Sequence, residues 1–174
     1  MSAPSARADL ASGARGARHW VRGNFVMLRA DDLRLLLAQE EVGAAQYIHG
    51  LAQVTTDAGV FSLGDAADAE GSLQLVALSA QLQPLVQFPA DRFLQTPLGA
   101  AAGGLCFAWN EVRVLIGIEL QVTPMPDALR ASGGPIEAYA LVDGAVVLCT
   151  TAEQLVDFAF AQPIAQAHRQ LQTV

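Results

Sequence analysis

The chain has 174 residues, of which 52% are hydrophobic, so it can bury one sizeable core or two smaller cores that share an interface. Its formal charge is −7: the first 22 residues carry four arginines and one aspartate, +3, which leaves −10 on the remainder. Nucleic-acid binding needs a clustered basic face, and the acidic remainder lacks one, which excludes nucleic acid as a predicted partner.

The first 22 residues are predicted to form a flexible tail. Their Ala, Ser, Gly and Arg composition buries too little apolar surface to become ordered, and they lack the apolar segment of a secretory signal. The uninterrupted apolar runs elsewhere are shorter than the ~18 to 20 residues of a membrane-spanning helix. We therefore expect a cytoplasmic protein without a membrane insertion.

From residue 24 onward, short apolar runs alternate with turn residues, which predicts a series of strands. Asp31 and Asp32 suit a hairpin turn, and Asp143-Gly144 between two apolar runs is the strongest hairpin signal in the chain. Residues 83–90 contain two prolines and are predicted to cross from one small barrel to another. The predicted strands cover residues 25–29, 33–37, 60–63, 73–78, 92–96, 104–109, 112–120, 135–142 and 145–150.

Only the end of the chain has a helical pattern. Thr150 stands three residues before Glu153, which fits a capping box, and apolar residues then recur at helical spacing until Pro163 breaks or restarts the helix. Many short strands at a spacing of roughly 8 to 12 residues are typical of barrels or a sandwich. The predicted class is therefore mostly β.

The sequence has no recognisable catalytic or metal-binding constellation, and we predict a protein that is not an enzyme and uses no cofactor or metal. It has neither a GxxxxGK[ST] loop nor a GxGxxG motif. Cys106 and Cys149 lie in apolar runs and are predicted to be buried free thiols. The three histidines have no nucleophile at a motif spacing, and the carboxylate groups fall in turns where solvated acidic loops are the usual state.

Three segments of the chain, in order, follow the pattern of one family: residues 25–42, "FVMLRADDLRLLLAQEEV", residues 103–115, "GGLCFAWNEVRVL", and residues 135–155, "PIEAYALVDGAVVLCTTAEQL". Together they resemble the CheW-like family, the coupling proteins of bacterial chemotaxis. The first segment resembles the family's opening hairpin, although Ala38 stands where proline is usual. The second resembles its second-half signature, with Trp109-Asn110 in place of Val-Asp, and the third resembles its closing hairpin and helix.

The middle of the chain departs from the family pattern. "GVFSLG" and "LQLVALSAQL", residues 59–64 and 73–82, are similar to the family's G-x-x-x-L-R-G loop and its following strand, but Leu63 runs directly into Gly64 and the arginine is missing. The family uses this region in receptor contact. The resemblance therefore leaves receptor coupling open.

The resemblance implies two packed five-stranded SH3-like β-barrels with a C-terminal helix. The expected division is a tail over residues 1–22 and one domain over 23–174. Within this domain we expect a first barrel at about 43–90, a second at about 23–37 and 91–150, and a helix at about 151–171. Trp109, Asn110 and Glu111 would form the bend between two strands of the second barrel. Strand alternation would then direct Val112 and Val114 inward and Arg113 outward.

The implied function is a non-enzymatic adaptor in chemotaxis-type signalling. It would dock the CheW-like regulatory domain of a histidine kinase, with the cytoplasmic tip of a chemoreceptor as a further candidate partner. The alternative is a diverged, self-associating structural or accessory protein, for example in surface motility signalling, that no longer couples receptors. Core packing is the competing interpretation for several of the candidate contacts. The candidate partner-binding residues are Val60, Phe61, Leu63, Trp109, Val112 and Val114.

Overall fold

The computed structural model describes residue 10 and residues 17–49, 59–63, 73–99, 105–130 and 132–171; at 62, 63, 73 and 162–171 it describes the backbone only. Within these ranges the chain forms ten strands and a C-terminal helix. The strands are β1 (His19–Ala30), β2 (Leu33–Ala38), β3 (Gln46–Tyr47), β4 (Val60–Leu63), β5 (Leu73–Ala77), β6 (Leu94–Pro97), β7 (Leu105–Trp109), β8 (Glu111–Pro124), β9 (Ala138–Val142) and β10 (Ala145–Cys149), and the helix is α1 (Ala152–Leu171).

Five of the strands close into a barrel in the order β1-β2-β10-β9-β8. The long strand β1 pairs with β2 on one side and β8 on the other, and β10 closes the ring by pairing in parallel with β2. Alternate side chains point into the barrel and form a core of their own. This barrel core comprises Leu10, Val21, Phe25, Met27, Leu36, Leu115, Leu120, Val122, Ala138, Ala140, Val142, Val147 and Cys149.

Both predicted hairpins are present in this barrel. Asp31 has φ 56° in the turn between β1 and β2, where Ala30 pairs with Leu33. Asp143 and Gly144, between β9 and β10, both have positive φ, the conformation that a two-residue type I′ hairpin requires. Aspartate and glycine tolerate this left-handed backbone better than most residues, so the local sequence sets these two turns.

The other five strands form a second sheet in the order β3-β6-β7-β5-β4. Strand β7 lies at its centre, antiparallel to β6 and parallel to β5. The inner face of this sheet carries Phe61, Leu75, Ala77, Cys106 and Ala108. The predicted class is confirmed: the chain is mostly β, with two five-stranded units and a C-terminal helix.

The strands are divided between the two units differently from the expected division. Strands β6 and β7, within residues 91–109, were expected in the barrel that contains β1, and they lie in the other sheet. The reason is pairing: β7 forms a parallel ladder with β5 and an antiparallel one with β6. Residues 83–90 were predicted to cross between the barrels, and this was wrong: they join β5 to β6 within the second sheet, and Leu85 and Phe88 pack against its core. The chain passes from the barrel to the second sheet between β2 and β3, and it passes back at Asn110, between β7 and β8.

A third core joins the barrel, the second sheet and α1. Outward-facing residues of β1 and β2, such as Leu28 and Leu35, pack there against Phe107 and Trp109 of β7 and Leu155 of α1. Strand β1 is thus buried on both faces over residues 25–28, which explains its unbroken apolar sequence. The third core fixes the barrel against the sheet.

The cap of α1 lies one residue later than predicted. The helix begins at Ala152, and the hydroxyl of Thr151 accepts a hydrogen bond from the amide of Gln154 at 3.2 Å. Thr150, the predicted cap, donates instead to the carbonyl of Pro135 at 2.9 Å. The helix also continues through residue 163, where it was predicted to break or restart, and it ends at Leu171 as expected, although proline supplies no amide hydrogen at 163.

The expected tail is ordered in part. Strand β1 begins at His19, and Leu10 is buried in the barrel core. The sequence prediction missed this contact because it averaged the composition over 22 residues. Apart from Met1, Leu10 is the one large aliphatic residue before β1, so it had little weight in that average. The rest of the predicted tail, residues 1–9 and 11–16, lies outside the described residues.

Candidate partner-binding surface

Two of the predicted contact residues, Val112 and Val114, lie together in a shallow groove on the outside of the barrel. The groove measures about 260 Å³ and separates β8 from the segment after β2. We call it the β8 groove. Its lining residues are Val26, Gln39, Val42, Gly43, Ala44, Ala45, Val112 and Val114.

The side chain of Val114 is 51% exposed, and Ile116, two residues further along the same face of β8, is 63% exposed. Val112 is half-buried against the third core. The outer face of β8 therefore passes from covered to open within five residues. An exposed run of aliphatic side chains beside a groove is a feature of protein-binding surfaces.

Val112 and Val114 were predicted to point into the barrel, and both point outward. Leu115 points inward instead: it is buried in the barrel core and pairs with Phe25 of β1. Arg113, two residues earlier, lies on the same side of β8 as Leu115. It is near the barrel rim, where its guanidinium forms an ion pair with Asp143 in the β9–β10 turn. An apolar run of β8 gives no sign of which parity faces the core, so pairing with β1 decides it.

The candidates on β4 are separate from the β8 groove. Phe61 is buried in the inner face of the second sheet and meets Phe88 edge to face, with ring centroids 5.2 Å apart. Val60 is half-buried and packs against the third core. The side chain of Leu63, and the loop after it where the family arginine is missing, lie outside the described residues.

Trp109 is a core residue and not a partner contact, as the competing interpretation, core packing, predicted. The side chain is 0% exposed, and its indole Nε1 donates a hydrogen bond to Oγ1 of Thr96 at 2.8 Å. Its ring stacks near Phe107, with an interplanar angle of 24°. A residue without accessible surface cannot contact a partner of the folded protein.

Asn110 and Glu111 belong to a polar cluster that ties the two units together. The amide of Asp31 donates to Oδ1 of Asn110 at 2.6 Å, and Nδ2 of Asn110 donates to the carbonyl and carboxylate oxygens of Asp91. We call this cluster the junction network. Its members are Arg29, Asp31, Asp91, Arg92, Asn110 and Glu111.

The junction network also contains two ion pairs. Nε of Arg29 donates to Glu111 at 2.9 Å, and Nη2 of Arg92 donates to Asp31 at 2.8 Å. The side chain of Arg92 is fully buried. Sequence analysis did not predict this network, although polar residues inside the apolar run at 103–117 were the available signal. The trio at 109–111 was expected to form the bend between two strands of one barrel; it forms the connection between the second sheet and the barrel.

The described residues hold no arrangement suited to metal binding: no group of three or more His, Cys, Asp or Glu side chains is close enough to hold an ion. Burial raises the pKa of the Cys106 thiol, and it raises the pKa of Cys149 to about 12. Both thiols are therefore protonated near neutral pH, which makes them poor nucleophiles. Over the ranges the structure covers, no helix is both long and apolar enough to span a membrane.

The barrel and second sheet, joined through a shared core and followed by a C-terminal helix, match a solved structure. It is the scaffolding protein TtCheW from Thermoanaerobacter tengcongensis, with a TM-score of 0.50. The fold is CheW-like. The match covers 75% of this chain and 90% of that protein.

The CheW-like fold is shared at a sequence identity of 11%, so the likeness concerns the fold alone. No family model matches the sequence, and no curated protein matches it either. The CheW-like fold is thus maintained by a largely different set of side chains. The binding role of this chain has to be argued from its own surface.

Proposed function

We propose that this chain is a non-enzymatic adaptor of chemotaxis-type signalling that docks the CheW-like regulatory domain of a histidine kinase through the β8 groove. The observation that carries the proposal is the exposure of Val114 and Ile116 beside this groove, on a CheW-like fold. Burial of these aliphatic side chains by a partner would supply about 25 cal/mol for each Å² of apolar surface removed from water. The proposed site of action is the cytoplasm.

The shape of the groove suits an inserted apolar side chain. Its far wall consists of small residues, Gly43, Ala44 and Ala45, which leave the valines of β8 accessible. Gly43 itself lies against Pro97, where an added Cβ would come within 2.3 Å of the proline ring. Glycine at position 43 therefore lets this segment pack closely against Pro97 of β6. A receptor tip is a further candidate partner for the same adaptor.

The test is calorimetric titration of the full chain with the CheW-like regulatory domain of the histidine kinase from the same organism. We expect a micromolar Kd, which corresponds to roughly −8 kcal/mol. Val114→Glu should weaken binding at least tenfold, because it places a carboxylate in the apolar contact. Val146→Glu is the matched control, since Val146 is an equally exposed strand valine, 54% against 51%, away from the groove.

Absence of binding by the wild-type chain would overturn kinase docking. Equal losses in the two valine variants, with unchanged melting temperatures, would overturn the assignment of the contact to the β8 groove. If the chain binds only receptor fragments, the adaptor role stands and the partner is a receptor instead of the kinase.

A further inference from the structure

A second apolar surface lies on the outer face of the barrel, across β1, β8, β9 and β10. Trp20 is 64% exposed, Leu141 is 59% exposed and Val146 is 54% exposed. Trp20 faces Gln121 across the β1–β8 pair, and Leu141 faces Val146 across the β9–β10 pair. Trp20, Gln121 and Leu141 also line one cavity, of about 310 Å³. We call Trp20, Gln121, Leu141 and Val146 the outer row.

The outer row is bordered by charges of both signs. The cavity beneath Trp20 is lined by Arg18 and by Glu119, and Arg22 stands opposite Glu119 in the β1–β8 register. An apolar centre with an aromatic residue and a charged rim is the usual composition of a protein interface. A rim of mixed sign is also self-complementary, because each charge can meet its opposite on a second copy.

We propose that the outer row is the contact surface of a two-fold dimer of this chain. In such a dimer Trp20 of one copy covers the apolar end of the row on the other, and Arg18 meets Glu119 twice across the axis. The charge pattern favours this occupant. The chain as a whole carries −7, so two copies repel one another, and a face that presents both arginine and glutamate can offset this repulsion at contact. This inference is independent of kinase docking, which uses the β8 groove.

The N-terminal segment of the same chain is a poorer occupant. It consists mainly of Ala, Ser, Gly and Arg, and Met1 and Leu10 are its large aliphatic residues. Leu10 is already buried in the barrel core. The segment therefore has little apolar surface left with which to cover Trp20.

The size of the outer row predicts a weak dimer. Four strands at a spacing of about 4.8 Å span roughly 20 Å of the curved barrel surface, and the two outward positions on each of β9 and β10 give a height of roughly 14 Å. The area that a second copy can cover is then at most on the order of 300 Å² per copy, well below the ~800 Å² per partner of a standard interface. We expect a Kd in the range of ten to several hundred micromolar, with a dimer that forms at high concentration.

The test is sedimentation equilibrium of the full chain from about 10 μM to 1 mM. The wild-type chain should shift from monomer to dimer, and Val146→Glu should remain monomeric throughout while its melting temperature is unchanged. Val114→Glu, at an equally exposed valine, is the control and should dimerise as the wild type does. Leu141→Gln is a second variant on the row, for use should Val146→Glu fold poorly, and it should raise Kd at least fivefold.

A charge exchange tests the two-fold arrangement itself. Arg18→Glu and Glu119→Arg should each raise the dimer Kd several-fold, and the double variant should return it to within about twofold of wild type. A wild-type chain that is monomeric at 1 mM would overturn the proposal, as would a dimer that Val146→Glu and Leu141→Gln leave intact. A monomeric chain in which these variants lose kinase binding would assign the outer row to the kinase.

Discussion

The carboxylate of Asp31, in the turn between β1 and β2, accepts a hydrogen bond from Nη2 of Arg92 at 2.8 Å, and the side chain of Arg92 has no exposed surface. The barrel thus supplies the counter-charge for an arginine that is buried next to the second sheet. Removal of one partner from such a pair leaves a charge that neither water nor protein compensates. Among the described polar contacts, this ion pair is the one that joins the two units through a fully buried charged side chain.

Asp31→Asn should lower the free energy of unfolding by about 1 to 3 kcal/mol, since it leaves the Arg92 charge without its anion. Asparagine tolerates the left-handed backbone at this position, so the turn itself is preserved. Urea denaturation of Asp31→Asn and of Asp32→Asn would measure the effect. Asp32 lies in the same turn and is exposed, and its variant should stay within about 0.5 kcal/mol of wild type. Equal values for the two variants would contradict the role of the ion pair.

Asn110→Ala should also destabilise the protein, by about 1 to 3 kcal/mol, because the amide of Asp31 would lose its acceptor in a partly buried site. The matched control is Asn24→Ala. Asn24 likewise accepts a backbone hydrogen bond, from the amide of Gly117 at 2.8 Å, but its site is exposed and water can replace it. Thermal unfolding of the two variants should give a clearly larger decrease for Asn110→Ala; the reverse order would contradict the structural role of the junction network.

The two tryptophans should differ strongly in accessibility to a fluorescence quencher. Trp20 is 64% exposed and Trp109 is 0% exposed, so acrylamide should quench a Trp109→Phe variant much more than a Trp20→Phe variant. Trp109→Phe should further lower the melting temperature, because it deletes the donor to Thr96 and part of the buried ring. Trp20→Phe should leave the melting temperature almost unchanged. A strongly quenched Trp109 would contradict its place in the core.

Alkaline pH should destabilise the protein through Cys149. Burial raises its pKa to about 12 from an ordinary value of 9.0, so between these values the unfolded chain releases a proton that the folded chain retains. Below pH 9 both states keep the proton, so the titration of this thiol costs no stability. Above pH 9 the free energy of unfolding should fall by up to about 1.4 kcal/mol for each pH unit. The chain has no lysine, and Cys106, whose pKa burial also raises, is present in both the wild type and Cys149→Ala and affects their profiles alike. Urea denaturation from pH 8 to 11 should give a flatter profile for Cys149→Ala than for wild type.

The elements of this protein were largely readable from the sequence, because each depends on local chemistry. The Asp143-Gly144 turn, the strands around it and the apolar period of the C-terminal helix all follow from residues that are neighbours along the chain. The capping residue was missed by one position, since Thr150 and Thr151 are chemically alike and only the contact of Thr150 with Pro135 separates them.

The partner-binding candidates were predicted less well, because exposure depends on distant pairing. Trp109 and Phe61 sit on strands whose apolar residues all resemble contact residues in the sequence. Pairing with neighbouring strands buries both of them, and it leaves Val114 and Ile116 in the open. The outer row was missed for the same reason, since Trp20 falls in the predicted tail and Leu141 and Val146 fall in ordinary strand patterns.

The sequence by itself determined the class of the protein: an acidic, mostly β chain with short hairpins and a closing helix, without a catalytic motif. Tertiary structure decided the division of the strands, the burial of Arg92 and the identity of the exposed apolar surfaces. The physical reason is that a strand has two faces of equal local propensity. Only its partners, which lie up to about a hundred residues away in the chain, determine which face is covered and which remains available to bind.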